Sequence, residues 1–217
     1  MDPVYEHREY LDEEMSDDDE LSDESVPDNK IWNQIVGDDP NLTRLRVGSD
    51  AYHPPDGDWA NLGRAIGRNT HLKELILPHV LLEEYFNGFI CGLRSNQSIQ
   101  TLRLNNMKGF GDHGANIVAN DLIRNAPLNE LHISDAFDVT HIGWHAIFAA
   151  LESNPNCRLQ KLYLCCNRIN QAAALSLSNV LLRHTTTLKT VGLMGSTIEN
   201  LSIAGWDDLF QPLWNSN

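Results

Sequence analysis

The stretch Leu128-Asn129-Glu130-Leu131-His132-Ile133 decides how this chain folds, because it is one of six copies of the same pattern. The others are Leu42-Thr-Arg-Leu45-Arg-Val47, Leu72-Lys-Glu-Leu75-Ile-Leu77, Ile99-Gln-Thr-Leu102-Arg-Leu104, Leu159-Gln-Lys-Leu162-Tyr-Leu164 and Leu188-Lys-Thr-Val191-Gly-Leu193. Their starts lie 30, 27, 29, 31 and 29 residues apart. Leucine is common, so one copy would mean little; six in phase signal a repeated structural unit. Side chains alternate along an extended chain, so in each copy the paired apolar residues face one side and their neighbours the other. Between copies, apolar residues recur at three- and four-residue spacing, as in Trp59, Leu62 and Ile66, or Ile147, Phe148 and Leu151. That spacing marks helices. The expected fold class is therefore α/β, with six short parallel strands centred on Leu45, Leu75, Leu102, Leu131, Leu162 and Val191, and helices covering their apolar side.

Charge is distributed unevenly along the 217 residues. Residues 1–29 carry 13 acidic residues and one basic residue, Arg8, whereas the remainder carries 17 acidic and 15 basic. The repeat body is thus nearly neutral, which argues against nucleic acid as a partner, since that needs a basic stripe. No apolar run approaches the roughly 20 residues of a membrane span, and the polar, acidic start does not read as a leader. Cys91, Cys157, Cys165 and Cys166 show no paired spacing, so neither a disulfide framework nor a metal knuckle is expected. A cytoplasmic setting follows, with a nuclear one as the alternative.

Residues 1–25 are too acidic to bury a core and are expected to be a disordered tail. Ser16, followed by Asp17-Asp18-Asp19, and less strongly Ser22 and Ser25, suit acidophilic kinases. Residues 26–41 are expected to hold a capping helix, with Pro27 in its first turn and Ile31, Trp32, Ile35 and Val36 as its apolar face. Repeats occupy 42–200, and 201–217, with Trp206 and Trp214, forms a helical segment that serves as a possible end cap. An asparagine precedes the next strand by three residues at Asn69, Asn96 and Asn125, where its amide can bond the reversing backbone.

A strand-plus-helix unit of this length resembles the ribonuclease-inhibitor-like class of leucine-rich repeats, over roughly residues 30–217. The resemblance implies a horseshoe-shaped solenoid with the strands on its concave face and helices outside. It departs from the class at the position three residues after the third apolar residue, where Asn or Cys is usual. Here that position holds Asp50, Val80, Met107, Ala136, Asn167 and Ser196, so looser turns are expected in the second to fourth units.

Placed on such a sheet, the residues between the leucines form rows, one residue per strand. The central row is Arg46, Ile76, Arg103, His132, Tyr163 and Gly192, preceded by Arg44, Glu74, Thr101, Glu130, Lys161 and Thr190. Asn106 and Asp135 fall in an outer row with Cys166 and Gly195. Arginine and tyrosine are frequent binding anchors. The candidate partner-binding residues are therefore Arg46, Glu74, Arg103, Asn106, Glu130, His132, Asp135 and Tyr163.

Three motifs point weakly to chemistry. His141 and His145 stand four apart on a helix but lack a third metal ligand. Cys165 and Cys166 are adjacent, with no redox spacing. Gly109-Phe-Gly111-Asp-His-Gly114 spells a dinucleotide motif between a strand and a helix, without the acidic partner about 20 residues on. No cofactor, metal or catalytic set is expected, and the chain is read as a non-enzyme, a monomeric module that binds a protein. The alternatives are a regulator of an enzyme such as a small GTPase, since Ran GTPase-activating proteins look similar in repeat class and also carry an acidic segment, or an inactive fragment of a larger repeat receptor.

Overall fold

The computed structural model describes residues 28–48, 52–54, 57–77, 83–107 and 109–199. The tail with its serines, the 201–217 segment, Asp50, Val80 and Leu82 lie outside them.

Each leucine pattern becomes a strand: β1 (Arg44–Arg46), β2 (Glu74–Leu77), β3 (Thr101–Leu104), β4 (Glu130–Ile133), β5 (Lys161–Tyr163) and, further on, β7 (Thr190–Gly192). They pair in parallel in the order β1-β2-β3-β4-β5-β7. The register sets Leu45, Leu75, Leu102, Leu131, Leu162 and Val191 side by side. A slip of one residue would turn every leucine to water, so the apolar pattern fixes this register. Six helices intervene: α1 (Asp28–Val36), α2 (Trp59–Arg68), α3 (Glu83–Gly92), α4 (Gly111–Val118), α5 (His141–Ser153) and α6 (Gln171–Arg183). Their apolar residues share one buried core with the strand leucines, among them Ile66, Phe89, Val118, Trp144, Phe148 and Leu177. Among the described residues no helix covers the opposite face of the sheet.

A second parallel pair, β6 (Arg168–Asn170) with β8 (Thr197–Glu199), has no counterpart in the leucine pattern. In α1, Ile35 is buried and Ile31 and Trp32 pack partly against the core, but Val36 is 60% exposed and does not belong to the expected apolar face.

Buried asparagines tie each unit to the one before it. The Asn69 amide donates to the Ile35 carbonyl at the end of α1 (3.3 Å), and the Asn96 amide to the Ile66 carbonyl (2.8 Å). Their oxygens accept from the next strand's approach, Leu72 N (2.7 Å) and Ile99 N (2.9 Å). The expected third member, Asn125, instead makes only a long bond to the Asn120 carbonyl on the surface (3.5 Å). The tie recurs in the next unit at Asn154, whose amide donates to the Ile123 and Ala126 carbonyls, both at 2.7 Å. Asn154 lies five residues before Leu159 rather than three, because this repeat is the longest and its turn takes up the extra residues. Replacing Asn154 by Ala is expected to cost about 1–3 kcal/mol, since the buried Ile123 carbonyl would lose its side-chain donor and the Ala126 carbonyl would keep only Leu128 N. Chemical denaturation checks this, with exposed Asn156→Ala as the near-neutral comparison.

In the third and fourth units the turn backbone is hydrogen-bonded although the usual asparagine is missing; the second unit's position, Val80, lies outside the described residues. Met107 N donates to the Ser134 carbonyl (3.1 Å). Ala136 N donates to Oδ1 of Asn167 in the next unit (3.0 Å), and the Asn167 amide reaches the Ile133 carbonyl (2.7 Å). One buried asparagine thus serves two turns.

Candidate functional site

The open face of the sheet carries charges in alternation. Reading across one row, Arg44 is on β1, Glu74 on β2, Glu130 on β4 and Lys161 on β5, with Arg103 two residues along on β3. Glu74 accepts from Arg103 Nε (2.7 Å) and pairs with Arg44 Nε (3.3 Å). Glu130 accepts from Arg103 Nη2 (3.1 Å) and Lys161 Nζ (3.2 Å). Opposite charges facing each other across strands stabilise the pairing. Each carboxylate is shared, and Arg103 bridges the two.

His132 completes this network. Its Nε2 bonds Glu130 Oε1; a carboxylate can only accept, so this nitrogen carries the proton. Burial pulls the His132 pKa down, with the Arg103 and Lys161 charges adding to it against the Glu130 bond, and the ring is neutral at pH 7. For Glu130, burial pushes the pKa up, but the bonds from His132 and Lys161 outweigh it and hold the carboxyl below its ordinary value. The His132 ring stacks on Tyr163, with centroids 4.3 Å apart and planes 30° from parallel. Tyr163 in turn lies over Gly192, where a Cβ would come within 2.5 Å of the ring. The row therefore runs Arg103, His132, Tyr163 along the surface as one fixed strip. A carboxylate–imidazole pair is also half of a general-base relay, yet among the described residues the other His132 nitrogen has no hydroxyl or thiol partner.

The remaining candidates separate from this strip. Arg46 is exposed and forms no ion pair among the described residues. Ile76, in the same row, is buried and offers nothing to a partner. Asn106, Asp135 and Cys166 sit one repeat apart in the left-handed region, with φ of 56°, 56° and 55°, and Gly195 follows at 69°. Asparagine, aspartate and glycine tolerate this geometry and cysteine seldom does. So Asn106 and Asp135 form the turns that leave the strands, beyond the charged network.

The three weak motifs resolve into packing. His145 Nδ1 bonds Ser176 Oγ (3.0 Å), and no group of three metal-ligating residues occurs among the described residues. Burial pushes the Cys165 and Cys166 thiols up, and Cys157 to about 11, so none is a thiolate at neutral pH. In the glycine motif, Gly109 and Gly111 have φ of 79° and 56°. Gly109 N donates to Asp138 Oδ2 (2.7 Å), and a Cβ at Gly114 would meet the Phe110 ring at 2.6 Å. Asp112 accepts from Thr140 N (2.7 Å) and Gly143 N (3.0 Å), capping α5 of the following unit. Of the backbone groups that would cradle phosphates, Gly109 N is spent on the next repeat, and Phe110 N and Gly114 N on the Met107 and Phe110 carbonyls.

Sequence reasoning missed one feature, a glycine-lined seam between α2 and α3. A Cβ at Gly63 would stand 2.1 Å from the Phe89 carbonyl oxygen, and one at Gly67 2.1 Å from that of Gly92. The spacing Gly63-x-x-x-Gly67 and Gly88-x-x-x-Gly92 is the signal that could have found it.

No protein-family model and no curated protein matches the chain. Among solved structures it is similar to the tropomodulin C-terminal domain of Caenorhabditis elegans, at 12% identity and a TM-score of 0.49, over 88% of this chain and 93% of that one. It is also similar to the actin-binding site 2 of leiomodin-1, at 17% identity and a TM-score of 0.43, over 87% and 88%. At such identities and scores neither supplies a partner for this chain. The expected membership of the ribonuclease-inhibitor-like class is corrected by these comparisons, which do not indicate that class. Its basis was the spacing of apolar residues, which any stacked strand–helix unit needs to bury its core, so it cannot tell one class from another. Among the described residues no helix is long and apolar enough to cross a membrane.

Proposed function

We propose that this chain is a non-catalytic protein-binding module. Its repeats stack as a leucine-rich-repeat solenoid, and a protein partner lies on the concave face over Arg46, Arg103, His132 and Tyr163. One observation carries this reading: the Arg103–His132–Tyr163 strip is held in place by Glu74 and Glu130 on a sheet face that no helix covers among the described residues. Side chains already fixed lose little freedom on binding, which favours affinity. Glu74 and Glu130 then act as supports, and Asn106 and Asp135 flank the contact.

Proximity labelling in cells with the full chain, followed by affinity measurement with the purified partner, tests it. Tyr163→Ala is expected to cost more than about 1 kcal/mol, roughly fivefold in Kd, while Glu152→Ala on the helix side changes nothing. Equal affinity for the wild type and the Tyr163→Ala, Arg103→Ala double variant would move the site off the sheet.

A further inference from the structure

The sheet face carries both signs of charge, but they are not equally available. Glu74 and Glu130 side chains are 21% and 14% exposed, and each is held by at least two cationic or imidazole groups. Arg44 and Lys161 are 58% and 49% exposed, and Arg46 stands in solvent without an ion pair among the described residues. The carboxylates work inward, as anchors for the cation stems. Arg103 places Nε and Nη2 on them, and a guanidinium has five N–H donors, so it keeps donors for a further carboxylate.

Resting on the sheet-face reading above, we propose that the partner supplies an acidic, extended segment with a carboxylate at every third residue, laid across the strands over Arg44 and Arg46, Arg103 and Lys161. These cations belong to β1, β3 and β5, every second strand of the sheet. Neighbouring strands lie about 4.8 Å apart, which separates successive cations by about 9.6 Å. In the extended polyproline II form three residues span about 9.3 Å and bring the side chain back to the same face. Carboxylates spaced in this way meet the three cation groups in step, whereas a compact acidic cluster meets one. Asp135, two residues beyond β4, bounds the site on the side where the strands end and repels carboxylates there, so the segment stays over the two rows that hold Arg44 and Lys161, and Arg46 and Arg103. A basic segment is disfavoured, because it would have to strip Glu74 and Glu130 of their present partners.

The test uses the full chain and three labelled decapeptides of Gly and Ser: one with Glu at every third position, one with the same Glu residues contiguous, and one with Lys in place of the spaced Glu. A second chain, with Asp17, Asp18, Asp19 and Glu20 changed to Asn and Gln, is titrated in parallel as a control for competition from the chain's own carboxylates. The spaced Glu peptide is expected to bind most tightly in both chains. Its affinity should fall several-fold between about 50 and about 300 mM salt as screening shortens. Arg46→Glu should weaken it by about tenfold, or 1.4 kcal/mol. A Lys peptide that binds as well, or a spaced Glu peptide whose affinity is the same with Arg46→Glu in both chains, overturns the proposal. If the acidic peptide fails while Tyr163→Ala still weakens the cellular partner, the acidic rule falls and the sheet-face reading stands.

Discussion

Gly63→Ala is expected to destabilise the chain by about 3 kcal/mol or more, although alanine is the better helix former by about 1 kcal/mol. The added methyl would lie 2.1 Å from the Phe89 carbonyl oxygen and 2.9 Å from its carbon. These are backbone atoms of α3 and cannot rotate aside. The two helices would have to separate, opening the contact that buries Ile66, Phe89 and Ile90. Gly88→Ala, on the facing helix α3, is the control. Its methyl meets only the Ala60 side chain, at 3.2 Å, so the expected change is within about 1 kcal/mol, helped by helix propensity. Urea denaturation of both variants decides the matter. Equal stabilities would mean that α2 and α3 do not touch through their backbones.

Leu131→Ala should cost about 2–5 kcal/mol, the range for emptying a buried leucine site. Leu131 has no exposed surface and stands in the middle of the sheet between Leu102 and Leu162. The cavity cannot close, because β3 and β5 are held on either side by their own hydrogen bonds. Val191→Ala, at the last strand and only partly buried, should cost about 1 kcal/mol. Hydrogen exchange on the Leu131→Ala chain should show amides of β3, β4 and β5 losing protection before those of β1. Full protection of these strands in that variant would show that Leu131 is not part of the core.

The six strands, their parallel pairing and the membership of each surface row were legible in the sequence. The reason is local: a strand alternates its faces, so the leucines that must be buried also state which neighbours cannot be. Arg103, His132 and Tyr163 could thus be placed side by side before any distance was known. The left-handed turns at Asn106 and Asp135 were hinted at by residue type; Cys166 gave no such hint.

What those row residues do to one another was decided only by the tertiary structure. Glu74 and Glu130 read as partner-binding groups in the sequence, and in the fold they are occupied by cations arriving from strands 27 to 31 residues away. Which arginine forms no ion pair among the described residues, Arg46 rather than Arg103, depends on side-chain reach between strands, and no spacing along the chain encodes it. The same holds for Asn125, which is left on the surface while Asn69, Asn96 and Asn154 make the buried ties, and for Gly63 and Gly92, whose need is set by how closely two helix backbones approach. Periodicity states which way a side chain faces; the distance to whatever it meets there is a property of the assembled units.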